Sequence, residues 1–186
     1  MSQWYEPYDS PEEAYVSWYL DELVEADYVL DYQAQPKSFT LSPKRTFKWT
    51  EKLKTKEKDR VSTLLQEHVY TADFSVKWGD TGGVFIKNVN NTRLDRDAPF
   101  LSGPSGVSLI EVKPSFDRNN MTRLFIINQK WMYDKYGIYV HKVIPQKLFE
   151  ATFTPKKYLL TDTGKQKRKI KFATRTLEEY VRSRTT

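Results

Sequence analysis

Apolar and polar residues alternate with period two from His68 to Trp78. Tyr70, Ala72, Phe74 and Val76 fall on one face, and Val69, Thr71, Asp73, Ser75 and Lys77 on the other. That pattern predicts a half-buried strand, with Asp73 as its one poor strand former. A second strand is predicted at Leu109-Ile-Glu-Val-Lys113. Ile110 and Val112 face one way, while Val107, Leu109, Glu111 and Lys113 face the other. A strand apolar on both sides at its start belongs in the middle of a sheet.

Upstream, Ser10-Pro11-Glu12-Glu13 is a helix start. Ser10 serves as N-cap, Pro11 fits the first helical position, and Glu13 completes a capping box. The helix should run to about Ala26, burying Val16, Leu20 and Leu23. Glu13 extends that stripe by a step of three and sits on its buried edge. Its cap role alone also accounts for it. Extended segments are expected near Tyr28–Gln33 and Ser38–Leu41, punctuated by Pro36 and Pro43.

Downstream, the region 79–106 is rich in Gly, Asn, Asp and Pro and reads as a long insertion. It holds one candidate strand at Val84-Phe-Ile86. After a turn at Pro114-Ser-Phe-Asp117, a helix is predicted from about Asn119 to Tyr136. Its stripe would be Leu124, Ile127 and Trp131, and Gly137 its stop. Ile138–Ile144 reads as a strand, parallel to the Glu111 strand by the crossover rule. A short helix at Pro145–Phe153 follows. Next come a hairpin of Lys156–Leu160 and Lys167–Phe172 around Asp162-Thr-Gly-Lys165, and a terminal helix at Thr176–Arg182.

Composition narrows the class. A chain of 186 residues, 39% hydrophobic and 15% aromatic, is expected to form one globular domain, with or without an appendage. With no cysteine there is no disulfide, thiolate nucleophile or cysteine-zinc site. No signal peptide and no long apolar run is visible, so no membrane partner is expected.

The net charge of +6 is unevenly spread. Residues 1–36 hold nine acids and no Lys or Arg, whereas residues 155–186 hold ten basic residues against three acids. That tail, with Lys165, Lys167, Arg168, Lys169 and Lys171, suits a phosphate backbone or a solvated hairpin equally. Lys44–Arg60 carries eight basic residues and three acids, including Lys44, Arg45 and Lys48, with Phe47 and Trp49 interleaved. It reads as a nucleic-acid-gripping stretch or as an edge strand blunted by lysines.

Glu111-Val-Lys113 is the one Glu-x-Lys in the chain. A carboxylate and an ammonium at the end of a central strand are costly unless they are paired or have a task. A cross-strand salt bridge of Asp73 with Lys113 would satisfy the first condition.

The order of helix, Asp strand, Glu-x-Lys strand, helix and strand resembles the PD-(D/E)XK nuclease superfamily, with Asp73, Glu111 and Lys113 as the signature. Within it, Ser10-x-x-Glu13 and Tyr70-Thr-x-Asp-Phe74 are most similar to the phage Holliday-junction resolvases of the endonuclease I type. The resemblance spans about residues 10–144. It departs at Ala72, where the family has Pro, and in the 38 positions from Asp73 to Glu111.

It implies an α/β, restriction-endonuclease-like core: a mixed central β-sheet flanked by helices, with a C-terminal β-hairpin and short helix. The core would occupy 1–154 with the insertion at about 79–106, and the basic extension 155–186. It also implies a metal-dependent deoxyribonuclease cutting branched phage DNA as a homodimer in the host cytoplasm. Asp73, Glu111, the Val112 carbonyl and Glu13 would hold Mg²⁺, with Mn²⁺ as a substitute, and Lys113 would act beside them. Gln129 and Tyr133 match a Gln-x-x-x-Tyr pattern of exonuclease-type relatives, as would a core Tyr beside an exposed Gln. An exonuclease, a restriction or packaging-type nuclease, a non-catalytic DNA-binding module and a structural protein with a buried salt bridge are the alternatives.

Overall fold

The computed structural model describes residues 3–79, 83–86, 106–115, 121–161 and 164–184. The predicted first helix is present as α1, Pro11–Glu25, with Ser10 accepting a hydrogen bond from the Glu13 N–H at its N-cap. Burial of Val16, Tyr19, Leu20 and Leu23 fixes the face it presents to the sheet.

Four strands make the central sheet: β1 (Val29–Ala34), β6 (Phe74–Trp78), β7 (Val107–Val112) and β8 (Val140–Val143), adjacent in that order. β1 and β7 both run antiparallel to β6, and β8 runs parallel to β7, as expected for a crossover through α3 (Met121–Tyr136). The sheet is therefore mixed. β7 has a neighbour on each side, and Ser108 to Val112 are all buried.

Each face carries its own core. Ile110 and Val112 pack with Val16, Tyr19, Leu20 and Leu23 of α1 and with Leu148 and Phe149 of α4 (Pro145–Ala151). Leu109 packs on the other side with Phe125 and Met132 of α3. The alternation read from the Leu109–Lys113 sequence is thus the alternation of the two cores.

The stretch His68–Trp78 departs from expectation. It forms two strands, β5 (His68–Tyr70) and β6, with Asp73 in the break. β5 pairs with β2 (Phe39–Ser42) in a small separate sheet. Tyr70 and Ala72 lie in the α3 core, whereas Phe74 and Val76 lie in the α1 core. The chain crosses from one side of the sheet to the other at Asp73, so the poor strand former stands where no strand has to be made.

Lys44–Arg60 contributes to an antiparallel two-stranded ribbon of β3 (Arg45–Lys52) and β4 (Glu57–Leu65), which pairs with no other strand among the described residues. In the predicted insertion, Val84-Phe-Ile86 belongs to a four-residue helix, α2 (Gly83–Ile86), not a strand. Phe85 and Ile86 are buried against the α1 core, and the Phe85 carbonyl accepts from the Tyr19 hydroxyl at 3.0 Å. The rest of that insertion (80–82 and 87–105), Phe116 and Asp117 of the predicted turn, and Asp162 and Thr163 lie outside the described residues.

The stripe assigned to α3 is displaced by one position. Phe125, Asn128 and Met132 are buried, while Leu124, Ile127 and Trp131 are exposed. The predicted C-terminal hairpin is reduced to its turn end. A 3-10 helix at Lys156–Leu159 is followed by a single bridge, Leu160 to Lys167. Tyr158, and Tyr180 of the terminal helix α5 (Leu177–Arg182), are buried in the α1 core. No helix among the described residues is long and apolar enough to cross a membrane.

Candidate active site

The break before β6 sets the position of Asp73. The β6–β7 ladder ends at Phe74 opposite Ile110, leaving the Val112 N–H beyond the last backbone pair. The Asp73 carboxylate takes that donor, with Oδ2 accepting from Val112 N at 2.6 Å. Its own backbone carbonyl accepts from the Gln35 N–H at 2.8 Å, which ties the break to the end of β1. Side chain thus replaces main chain at the point where the strand leaves the sheet.

Glu111, one position before Val112, is held from two directions. Its Oε1 lies 2.7 Å from the Lys113 ammonium, and its Oε2 accepts from the Tyr70 hydroxyl at 2.7 Å. Glu111 and Lys113 share a strand face because they are two residues apart. The pair is nearly buried, with side-chain exposures of 10% and 13%. The alternative of a cross-strand bridge from Asp73 to Lys113 is not what forms: Lys113, one residue beyond β7, pairs with Glu111.

Glu13 joins the group from the start of α1. It is 8% exposed, as its place on the stripe requires. The capping arrangement is shifted by one residue: Glu13 accepts from the Ser10 hydroxyl at 2.8 Å and from the Asp9 N–H, not that of Ser10, at 3.2 Å. The cap and the buried carboxylate coexist.

Electrostatics link the three acids. Burial, then the Glu111 charge and more weakly that of Glu13, raise the Asp73 carboxyl from its usual 3.8 to about 7. The Val112 N–H and Lys113 oppose that rise. Burial likewise raises Glu13, with small contributions from Asp9 and Glu111. Tyr70 is held as a neutral donor by burial and by the charge of Glu111. Among the described residues, three carboxyl groups face one ammonium, which leaves the site short of positive charge.

That deficit, together with an all-oxygen donor set, suits a hard divalent cation. Asp73 and Glu111 are the carboxylates that could hold one. Among the described residues no three His, Asp or Glu side chains stand close enough to enclose an ion. Glu13 therefore contributes through its charge in the arrangement seen here, and Val112 meets Asp73 through its N–H.

The candidate nucleic-acid residues separate into two sets. Lys44, Arg45, Lys48, Lys165, Lys167, Lys169 and Lys171 are exposed. Arg168 is committed elsewhere. Its guanidinium lies against both rings of the touching Tyr15–Tyr158 pair, 4.9 and 4.6 Å from their centroids. It also donates to the Tyr158 and Leu160 carbonyls and the Tyr15 hydroxyl. Gln129 is half-buried and donates to the Val140 carbonyl at 2.7 Å, while Tyr133 is exposed, the reverse of a core Tyr beside an exposed Gln.

Two contributors were not marked as site residues by the sequence. Tyr70 had the position of a core aromatic, and only its place three residues before Asp73 distinguished it. On the α3 side, His68 shares a 2.8 Å hydrogen bond with the buried Asn128, and its ring lies 5.4 Å from that of Trp131 at a tilt of 44°. No family model matches the chain, and no curated protein and no solved structure matches it, so the nuclease resemblance stands on the residues quoted for it.

Proposed function

We propose that this protein is a Mg²⁺-dependent DNA endonuclease with a restriction-endonuclease-like core, hydrolysing phosphodiester bonds of branched, Holliday-junction-like phage DNA. The observation that carries the proposal is the convergence of Asp73, Glu111 and Lys113 at the end of the central strand. Glu13 adds its charge from the first helix.

Phosphodiester hydrolysis needs a nucleophilic water and a stabilised leaving oxyanion. Asp73 and Glu111 would hold Mg²⁺, which would supply an acidified water and offset charge on the phosphate, and Glu13 would add its negative charge nearby. Lys113 supplies the one ammonium of the site, positioned by Glu111 to hydrogen-bond the attacking water or a phosphate oxygen. Tyr70 fixes the second oxygen of Glu111, so that carboxylate meets its partners in one orientation. The Val112 N–H fixes Asp73 in the same way.

The same reading makes the enzyme a homodimer acting in the host cytoplasm, since resolvases of this type cut two strands. Incubation of the purified chain with supercoiled, linear, single-stranded and branched DNA tests the proposal. Mg²⁺ or Mn²⁺ should support cleavage and EDTA should stop it. Asp73→Ala, Glu111→Ala and Lys113→Ala should each abolish cutting while the fold persists. Absence of metal-dependent cleavage on all four substrates would refute the proposal and leave a DNA-binding module as the better account.

A further inference from the structure

The β3–β4 ribbon buries almost nothing. Every β3 position except Glu51, and every β4 position except Ser62, is exposed. An isolated two-stranded ribbon is marginal in water, so its surface is built for something other than a core. Its register decides which side chains share a face. Phe47 stands opposite Ser62, Trp49 opposite Arg60 and Glu51 opposite Lys58. Phe47 and Trp49 therefore project together, 45% and 43% exposed. The Trp49 indole N–H is held by Ser62 Oγ at 2.8 Å, which fixes that ring on the ribbon.

Two residues along a strand advance about 6.8 Å. That is twice the ~3.4 Å step between stacked bases, the gap into which one base fits between two aromatic rings. The charges around the rings are mainly basic: Lys44–Arg60 holds eight Lys or Arg against Glu51, Glu57 and Asp59. Lys52, Lys54, Lys56 and Lys58 crowd the tip, where the Leu53 N–H closes the turn on the Lys56 carbonyl. Among the described residues, the ribbon cations with ion pairs are Arg60 on Glu51, at 2.7 Å, and Lys52 on Glu57, at 3.8 Å. Lys44, Arg45, Lys48, Lys54, Lys56 and Lys58 are all exposed.

From this juxtaposition we infer that the ribbon is a capture arm for unpaired nucleotides. Phe47 and Trp49 take up a base and the tip lysines follow its phosphates. Unpaired bases have free π-faces, whereas those of a closed duplex are already stacked. The arm thereby favours branch points, forks and single strands over plain duplex. The inference rests on the nuclease reading for its substrate class, and it adds the residues that select the DNA structure.

The test uses the full chain in EDTA, where cleavage is off. The probes are a thymine oligonucleotide, a fork with 2-aminopurine at an unpaired position, and a blunt duplex of matched length. The single strand and fork should bind more tightly than the duplex, with quenching of the aminopurine. Replacing both rings, Phe47→Thr with Trp49→Thr, should weaken fork binding by about tenfold, the scale of a lost base stack, with the salt slope unchanged. Lys54→Gln with Lys56→Gln should flatten that slope by up to about 1.4 units. Trp49→Phe should retain most of the affinity, and a thermal melt should show the core of each variant intact.

Equal binding of fork and duplex, or full affinity in the double Thr variant, would overturn the inference. So would absence of DNA binding. A variant that keeps DNA affinity but sediments as a smaller species would instead make the ribbon a contact between copies of this chain. Cleavage with Mg²⁺, run in parallel, separates the two readings. Cutting that is equal in wild type and ribbon variant on every substrate removes the arm and keeps the nuclease. Ring-dependent fork binding without any cutting keeps the arm and removes the nuclease.

Discussion

Lys113 is paired with Glu111 on its own strand: Nζ lies 2.7 Å from Oε1, with both side chains nearly buried. Removing one member of such a pair strands the other charge, which typically costs about 3–5 kcal/mol. Lys113→Met should therefore destabilise the fold by about that amount in urea titrations. Adding Glu111→Gln should recover most of the loss, because a neutral amide can still accept from Tyr70. Equal destabilisation in the single and double variants would mean the pair is not coupled. Cleavage should be absent from both.

Asp73 should make the metal-free protein sensitive to pH. Its carboxyl is raised from 3.8 to about 7 in the folded chain. The folded state therefore binds the proton more tightly than the unfolded state, and unfolding releases it between those values. Stability should fall as pH rises from about 4 to about 7, by a few kcal/mol at most, and level off above. Asp73→Asn keeps an oxygen for the Val112 N–H but carries no charge, so it should flatten this slope and exceed wild type at pH 8. Mg²⁺ should narrow that difference by stabilising ionised Asp73 in the wild type. Parallel pH profiles for the two proteins in EDTA would show that Asp73 is not the titrating group.

Glu13 and Glu12 are adjacent, and only Glu13 is both buried and electrostatically coupled to Asp73. Glu13→Gln should lower the cleavage rate about tenfold or more, while Glu12→Gln should leave it within about twofold, the difference between a charge in the site and one outside it. Gln at position 13 keeps an oxygen for the Asp9 N–H and can donate its amide to the Ser10 hydroxyl, so melting temperature should change little. Equal rates in the two variants would return Glu13 to a purely capping role.

The helix start, the central strand and the parallel crossover were legible because each is written in local chemistry. Ser10 and Pro11 cap, Leu109 and Ile110 alternate between two cores, and Gly137, at φ 65°, takes the left-handed position that stops α3. The break at Asp73 was not legible. Tyr70, Ala72, Phe74 and Val76 keep period two across it, yet they serve cores on opposite sides of the sheet. The α3 stripe failed for a related reason. Leu124, Ile127 and Trp131 have the same spacing as the buried Phe125, Asn128 and Met132, and look more apolar. Asn128 becomes a core residue only because His68, 60 positions away, offers it a hydrogen bond. The three acids were found as a set, but the roles of Tyr70 and of the Val112 N–H depend on contacts that no spacing encodes.

The basic tail should divide into a structural cation and binding cations. Arg168 lies against the rings of Tyr15 and Tyr158 and donates to two carbonyls, and the Lys156 N–H is bonded to Glu22 of α1. The tail and the acidic first helix thus meet within one chain, without a second copy. Arg168→Gln should lower stability by about 1–2 kcal/mol through lost cation–π contact and hydrogen bonds, leaving the salt dependence of DNA binding unchanged. Lys167→Gln with Lys169→Gln should do the opposite. Both side chains are exposed, so stability should hold. If both contact phosphates, the slope of log affinity against log salt should flatten by up to about 1.8 units on duplex DNA. The loss should be the same for unrelated sequences, because phosphate contacts carry no base information. A flattened slope in Arg168→Gln alone would place that guanidinium on the DNA and its ring contacts in the unbound chain only.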